Sequence, residues 1–135
     1  MKRICNILTV LLIVLLLTAC GGNIRHVVPV IGPSDLYEEA EIEEAMDIVL
    51  SCFQKEFGGC TLTRLEYDET RVRDVQLGWA EQYGEEQALV LLSDFDVDES
   101  GGDGSLNPGD TYRNWQWVLT RTDGGTWVLR TWGYG

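Results

Sequence analysis

Leu17-Thr18-Ala19-Cys20 places a thiol directly behind small residues at the end of an apolar run, and Lys2 and Arg3 precede that run. A charged start, an apolar stretch from Ile4 to Leu17 and a small-residue cleavage site are the three parts of an export signal, and the terminal cysteine makes it the lipid-accepting kind. The stretch is shorter than the about 20 residues a helix needs to cross a bilayer. The spacing therefore predicts removal of residues 1–19 and acylation of Cys20. The remaining chain would be held at a cell membrane by lipid, on its extracytoplasmic face.

Three other groups of residues have chemistry in their types and spacing. Asp96-x-Asp98-x-Ser100, with Gly101 next, matches the first half of a calcium loop, where oxygen ligands fall at alternate positions. The second half fails, because Asn107 stands where a bidentate glutamate is expected. The competing reading is a long solvated turn, which is made of the same residue types. Cys52 and Cys60 are the only cysteines in the exported part besides Cys20, and outside a membrane they could pair as a disulfide. Cys52 falls more than a turn before the end of its expected helix, so two small buried residues are the competing reading. Arg130, Trp132 and Tyr134 alternate along the last segment and are candidates for an exposed ligand-binding patch.

Composition removes several functions. The formal charge is −12, and loss of Lys2 and Arg3 makes the remainder more acidic still. Nucleic-acid binding needs a basic stripe, so it is excluded, and adhesion to anionic headgroups is disfavoured. The single histidine, His26, precedes the expected domain, so neither a Ser-His-Asp nor a Cys-His arrangement can be assembled. Carboxylate pairs remain available for acid–base work, but without geometry they mark nothing.

Periodicity locates the elements that must position these residues. Residues 20–35 mix glycine, proline and short side chains without a sustained period and read as a lipidated, flexible tether. Residues 36–135 then form one domain, small enough that a single core has little margin. Ile42, Ala45, Met46, Val49, Leu50, Phe53 and Phe57 recur at threes and fours, predicting a helix over 38–57 that Gly58 ends. Cys60 to Tyr67 reads as a strand. Thr70 to Tyr83 reads as a shorter helix stopped by Gly84, with Val72, Val75, Trp79 and Tyr83 along one side. Ala88 to Phe95 is apolar on both alternating faces, the pattern of a central strand covered twice. After a polar loop, Tyr112 to Thr122 and Thr126 to Tyr134 form a hairpin around Asp123-Gly124-Gly125. An odd loop puts Trp115, Trp117 and Leu119 on one face with Trp127 and Leu129, and sends Arg130, Trp132 and Tyr134 to the other. The sum is an α+β fold: a long N-terminal helix on a curved antiparallel sheet of about four strands, with a short second helix.

Trp79-Ala80-Glu81-Gln82-Tyr83-Gly84, the loop from Phe95 to Pro108, and the ending from Asn114-Trp115-Gln116-Trp117 to Thr131-Trp132-Gly133-Tyr134 together resemble small uncharacterised lipoproteins of Gram-positive gut bacteria. The resemblance spans roughly residues 36–134. It implies a cystatin-like or nuclear-transport-factor-two-like fold, in which a long helix lies in the curve of an antiparallel sheet, and it implies no activity.

Address, fold and missing catalytic groups together predict a non-enzymatic binding or interaction domain for an extracellular ligand or protein. The alternatives are a small pocket enzyme of hydrolase or isomerase type and a calcium-dependent binding module, calcium being the one cofactor suggested. Cys20→Ala should abolish incorporation of radiolabelled palmitate, because the thiol is the acyl acceptor. Equal label in mutant and wild type would end the lipoprotein reading.

Overall fold

A computed structural model describes residues 21–102 and 104–134. Cys20 and the export signal lie outside the described residues. The elements are β1 (Val30–Ile31), α1 (Glu39–Glu56), β2 (Cys60–Tyr67), α2 (Glu69–Tyr83), β3 (Gln87–Val97), β4 (Thr111–Arg121) and β5 (Val128–Gly133). The strands form one sheet in sequence order, with β1 parallel to β2 and every other pair antiparallel. The chain is thus α+β with helices on a five-stranded mixed sheet. A fifth strand precedes α1, so the sheet is neither four-stranded nor wholly antiparallel as expected, and the long helix is not the first element.

The apolar stripe of α1 decides its position. Ile42, Ala45, Met46, Val49 and Phe53 are all buried, and Phe53 meets Phe95 and Trp117 edge-on at ring distances of 5.7 and 6.4 Å. Acidic residues in the first turn and Lys55 in the last match the helix dipole at both ends. On the opposite face of the sheet, α2 packs across β3 and β4. Val90, Leu92 and Val118, which point away from α1, are buried there. This explains why β3 is apolar on both faces. Only part of the expected α2 stripe is buried, namely Val72; Gln76 takes the next inward turn and Val75 is exposed.

The segment expected to be a tether is packed instead. Gly22 N–H donates to the Gln54 carbonyl, Asn23 N–H to the Cys60 carbonyl, and Leu62 N–H to the Asn23 carbonyl. Ile24, Val27 and Ile31 lean on the core, and the segment runs beside β2 until Gly32 N–H reaches the Tyr67 carbonyl. A Cβ on Gly22 would lie 2.3 Å from the Phe53 carbonyl oxygen, so glycine is needed for this approach. Residues 21–37 are a strap belonging to the fold, and the domain does not begin at residue 36.

The strap ends on a buried carboxylate. Glu69, at the start of α2 and 5% exposed, accepts hydrogen bonds from Ser34 Oγ at 2.5 Å, Asp35 N–H at 2.8 Å, Leu36 N–H at 3.4 Å and Tyr67 Oη at 2.9 Å. Burial raises its pKa, but these donors outweigh burial and hold it below the ordinary value of 4.5. Just beyond, β2 runs out and leaves an open edge on β3. Two side chains close it: Tyr37 Oη donates to the Ala88 carbonyl at 2.6 Å, and Val90 N–H donates to Gln76 Oε1 at 3.0 Å.

Removing the carboxylate should be costly, since Glu69→Ala strands four donors; the expected loss is about 3 kcal/mol or more. Because the folded pKa is lowered, the stabilisation is complete above the unfolded value and is lost as pH falls through the folded one. The stability gap between wild type and Glu69→Gln should therefore close below about pH 4.5. A gap that stays constant from neutral pH into that range would show that the charge does not hold the strap.

Candidate functional site

The loop between β3 and β4 folds back over the turn that joins α1 to β2. Gly101 and Gly102 take left-handed φ of 76° and 66°, which lets the chain reverse there. Leu106 then tucks against the core. Between this loop, the Glu56–Cys60 turn and the rings of Trp115 and Trp132 lies a cavity of about 270 Å³. Its described lining is completed by Phe57, Gly102, Ser105 and Leu106. Four segments, the α1–β2 turn, the β3–β4 loop, β4 and β5, converge on it.

The two neighbouring tryptophans of β4 differ in one respect. Trp117 is fully buried and its indole N–H donates to Ser93 Oγ at 2.8 Å. The Trp115 indole nitrogen is also shut off from water, yet it has no acceptor among the described residues. Leaving a buried donor unmade costs about 1–3 kcal/mol. Phe57 stands 6.4 Å from the Trp115 ring and 6.1 Å from the Trp132 ring, both edge-on, so all three aromatic residues belong to one wall.

A β-bulge places Trp132 there. Val118 pairs with Thr131 but Leu119 pairs with Leu129, so Arg130 is the extra residue. Next to the turn the odd-loop register holds, with Leu119 opposite Leu129. Past the bulge the faces exchange, and Trp132 comes opposite Trp117 with ring centres 5.6 Å apart. Tyr134 joins the same face, 5.3 Å from Trp115 and 5.8 Å from Tyr112. Arg130 alone points toward α2: its Nε donates to Thr120 Oγ1 at 2.9 Å, and its guanidinium lies 5.4 Å from the Tyr83 ring centre. Arg130, Trp132 and Tyr134 therefore do not form one patch. Apart from the bulge, the physical reason is the apolar wall itself, which takes the rings and rejects the charge.

The half-motif for calcium is used by the loop for its own bonds. Asp98 Oδ1 accepts from the backbone N–H of Ser100 at 2.9 Å and from its hydroxyl, closing a turn. Asp96 Oδ1 accepts from Thr111 Oγ1 at 2.6 Å on the neighbouring strand. Among the described residues, no group of three or more His, Cys, Asp or Glu gathers as metal ligands. Cys52 and Cys60 are not bridged to each other. Cys52 sits in a groove with Ile48, Lys55 and Thr126, and burial pushes its thiol pKa up. Cys60 is buried at the cavity, so the two side chains leave the α1–β2 corner in different directions.

Two charged clusters escaped sequence reasoning. Arg64 makes two hydrogen bonds to Asp94, at 2.9 and 2.8 Å, and Asn114 accepts from both Arg64 and Arg71. Asn114 has φ 54° at a bulge of β4, and its backbone N–H donates to Asp94 at 2.9 Å. Hydrogen bonds from Arg64, offset in part by burial, hold Asp94 below the usual carboxylate range. This network joins β2, β3, β4 and the start of α2. At the other end, Arg121 is 5% exposed, lies 4.1 Å over the Trp127 ring and pairs with Glu41 at 2.5 Å. Both clusters are internally matched. A wider depression, about 910 Å³, is lined by residues of a single stretch of chain between Ile31 and Ile42 and brings no separate elements together.

No protein-family model matches the chain, no curated protein matches it, and no solved structure matches it.

For the loop, calcium and magnesium at equal concentration should shift the melting temperature equally, by screening an acidic surface, and Asp98→Asn should leave that equality intact. A rise specific to calcium and lost in Asp98→Asn would show that the loop reorganises around an ion.

Proposed function

We propose that the chain is a membrane-anchored extracytoplasmic lipoprotein whose domain binds a small ligand in the Trp115–Trp132 cavity without transforming it. The observation that carries this reading is the Trp115 indole N–H, buried beside a cavity and lacking an acceptor among the described residues. Native structures rarely leave such a donor unmade, and a functional role is one of the recognised reasons. Convergence of several segments with a few polar groups among aromatic walls is the usual build of a small-molecule site.

The lining also argues for binding rather than catalysis. Glu56 is the only carboxylate among the described lining residues, so no acid–base pair faces the cavity there. Cys60 and Ser105 line it, but His26 is exposed on the strap and cannot activate either. Helix α1 across the antiparallel strands β2–β5 is the arrangement a cystatin-like fold would have, with the strap as an addition.

Ligand-observed saturation-transfer NMR with a cocktail of small polar fragments tests the cavity. Several fragments should receive saturation from the wild type, and Ser105→Trp, which fills the space from the loop without entering the core, should abolish it. Circular dichroism would verify that this variant folds. No transfer to any fragment, or transfer that persists in a folded Ser105→Trp, would remove the cavity as a binding site.

A further inference from the structure

We infer that Trp132 and Tyr134 dock on the interfacial layer of the membrane that holds the lipid anchor, between its headgroups and its acyl chains. This rests on acylation of Cys20 and not on the cavity being a ligand site. Among the described residues these are the only tryptophan and tyrosine side chains that stand exposed, at 42% and 63%. Each is an apolar ring with a polar N–H or O–H, the kind of side chain that settles where hydrocarbon meets water at a bilayer surface.

The place where the chain enters the fold names the occupant. Cys20 immediately precedes Gly21, and a Cβ on Gly21 would lie 2.5 Å from the Gln54 carbonyl oxygen in the last turn of α1. An acyl group on Cys20 is therefore one residue from that turn. Three further contacts lead from there to the exposed rings: the Cβ position of Gly22 is 2.8 Å from Phe53 Cδ1, the Phe53 ring lies 4.9 Å from that of Phe57, and the Phe57 ring 6.1 Å from that of Trp132. The sheet register agrees. Cys60 pairs with Val97 and Asp96 with Thr111, so β2, β3 and β4 share this end, and β5 runs toward it until Gly133 meets Gln116. A bilayer that takes the acyl chains is thus within reach of both rings.

Charge and rigidity suit that surface. The chain carries a formal charge of −12, yet residues 126–135 contain one arginine and no carboxylate. That arginine, Arg130, is turned to the other face, where it pairs with Glu85 at 3.3 Å. Tyr134 leans on Tyr112 and Trp115, and Trp132 on Trp117 and Phe57, so the sheet presents both rings already ordered and docking costs them little freedom. Covering the patch with a second copy would bring two strongly acidic bodies together. A neutral bilayer surface sets no such repulsion against it.

The test expresses the chain from Met1 in a bacterial host, recovers it from the membrane fraction and reconstitutes it in phosphatidylcholine vesicles whose acyl chains carry bromine close to the headgroups. Bromine should quench part of the tryptophan emission. Trp132→Phe, which keeps a ring against Phe57 and Trp117, should lose that quenching, and Tyr134→Ser should reduce it. Trp79→Phe, which alters the ring stacked on Tyr83 in α2, should leave it intact. Moving the bromine to the far ends of the acyl chains should weaken it, because the rings stay at the interface. Emission indifferent to bromine, in protein that still floats with the vesicles, would overturn the docking and leave the anchor standing. Quenching kept in Trp132→Phe and lost in Trp79→Phe would put the α2 face on the membrane instead, and emission that follows the number of protein molecules per vesicle and not the bromine would assign the patch to a second copy; either overturns the proposal. Absence of the chain from the membrane fraction, with no palmitate label, would remove anchor and docking together.

Discussion

The Glu69 carboxylate is the point on which the two halves of the fold depend. It is buried, and a buried charge is tolerated only when hydrogen bonds replace its lost water. The donors come from Ser34, Asp35, Leu36 and Tyr67, so solvating this one group fixes the end of the strap, the end of β2 and the start of α2 together. From that fixed point Tyr37 reaches the Ala88 carbonyl and Gln76 reaches the Val90 N–H. Those two contacts finish the edge that β2 leaves open. Without them, β3 would present unmade backbone groups in the middle of the molecule.

The regular elements are legible in the sequence because each depends on short-range pattern. Spacings of three and four locate α1, Gly84 stops α2 in the left-handed conformation, and the double apolar run of 88–95 marks a strand covered on both faces. The strap is not legible. Its apolar residues Ile24, Val27 and Ile31 are spaced three and four apart, a helical spacing that Pro29 and Pro33 contradict, and it is held instead by backbone pairing to β2 with glycines that permit close approach. The candidate site is half legible for a related reason. Alternation puts Trp115 and Trp117 on the helix face, where they are found, but one extra residue at Arg130 exchanges the faces beyond it. A single-residue bulge leaves no trace in an alternating pattern, because each side of it alternates correctly. The mismatch between an arginine and an aromatic face is the one available hint.

Polar satisfaction separates structural from functional chemistry in this chain. Arg64, Arg71, Asp94 and Asn114 answer one another, as do Arg121, Glu41 and Trp127, and the aspartates of the β3–β4 loop answer Ser100 and Thr111. Each cluster is complete in the structure, and only the loop aspartates stand out in the sequence. Against that background the indole of Trp115, unanswered among the described residues, stands out, since its neighbour Trp117, two residues along the same strand, is matched by Ser93. Selection of the cavity as the site rests on this contrast and not on size, because the larger hollow at Ile31–Ile42 lacks it.

The docked strap also changes what anchoring would mean. A flexible tether of about 13 residues would span roughly 20 Å and let the domain turn freely above a bilayer. Here Gly22 is already bonded to the last turn of α1, and Asn23 to the first residue of β2. On the proposed acylation of Cys20, one residue, Gly21, separates the lipid-bearing cysteine from the folded body, too short a link to act as a spacer when successive Cα atoms are about 3.8 Å apart. The α1–β2 corner would then lie closest to the membrane, and the Glu56–Cys60 turn that forms one wall of the cavity belongs to that corner. Anchor and cavity would share one end of the molecule. The acidic residues Asp96 and Asp98 lie at the same end, facing the strap across Gly59 and Cys60, so attraction to anionic headgroups cannot supply the contact. The lipid would have to hold this end down against that repulsion, and the rigidity of the strap would turn its hold into an orientation.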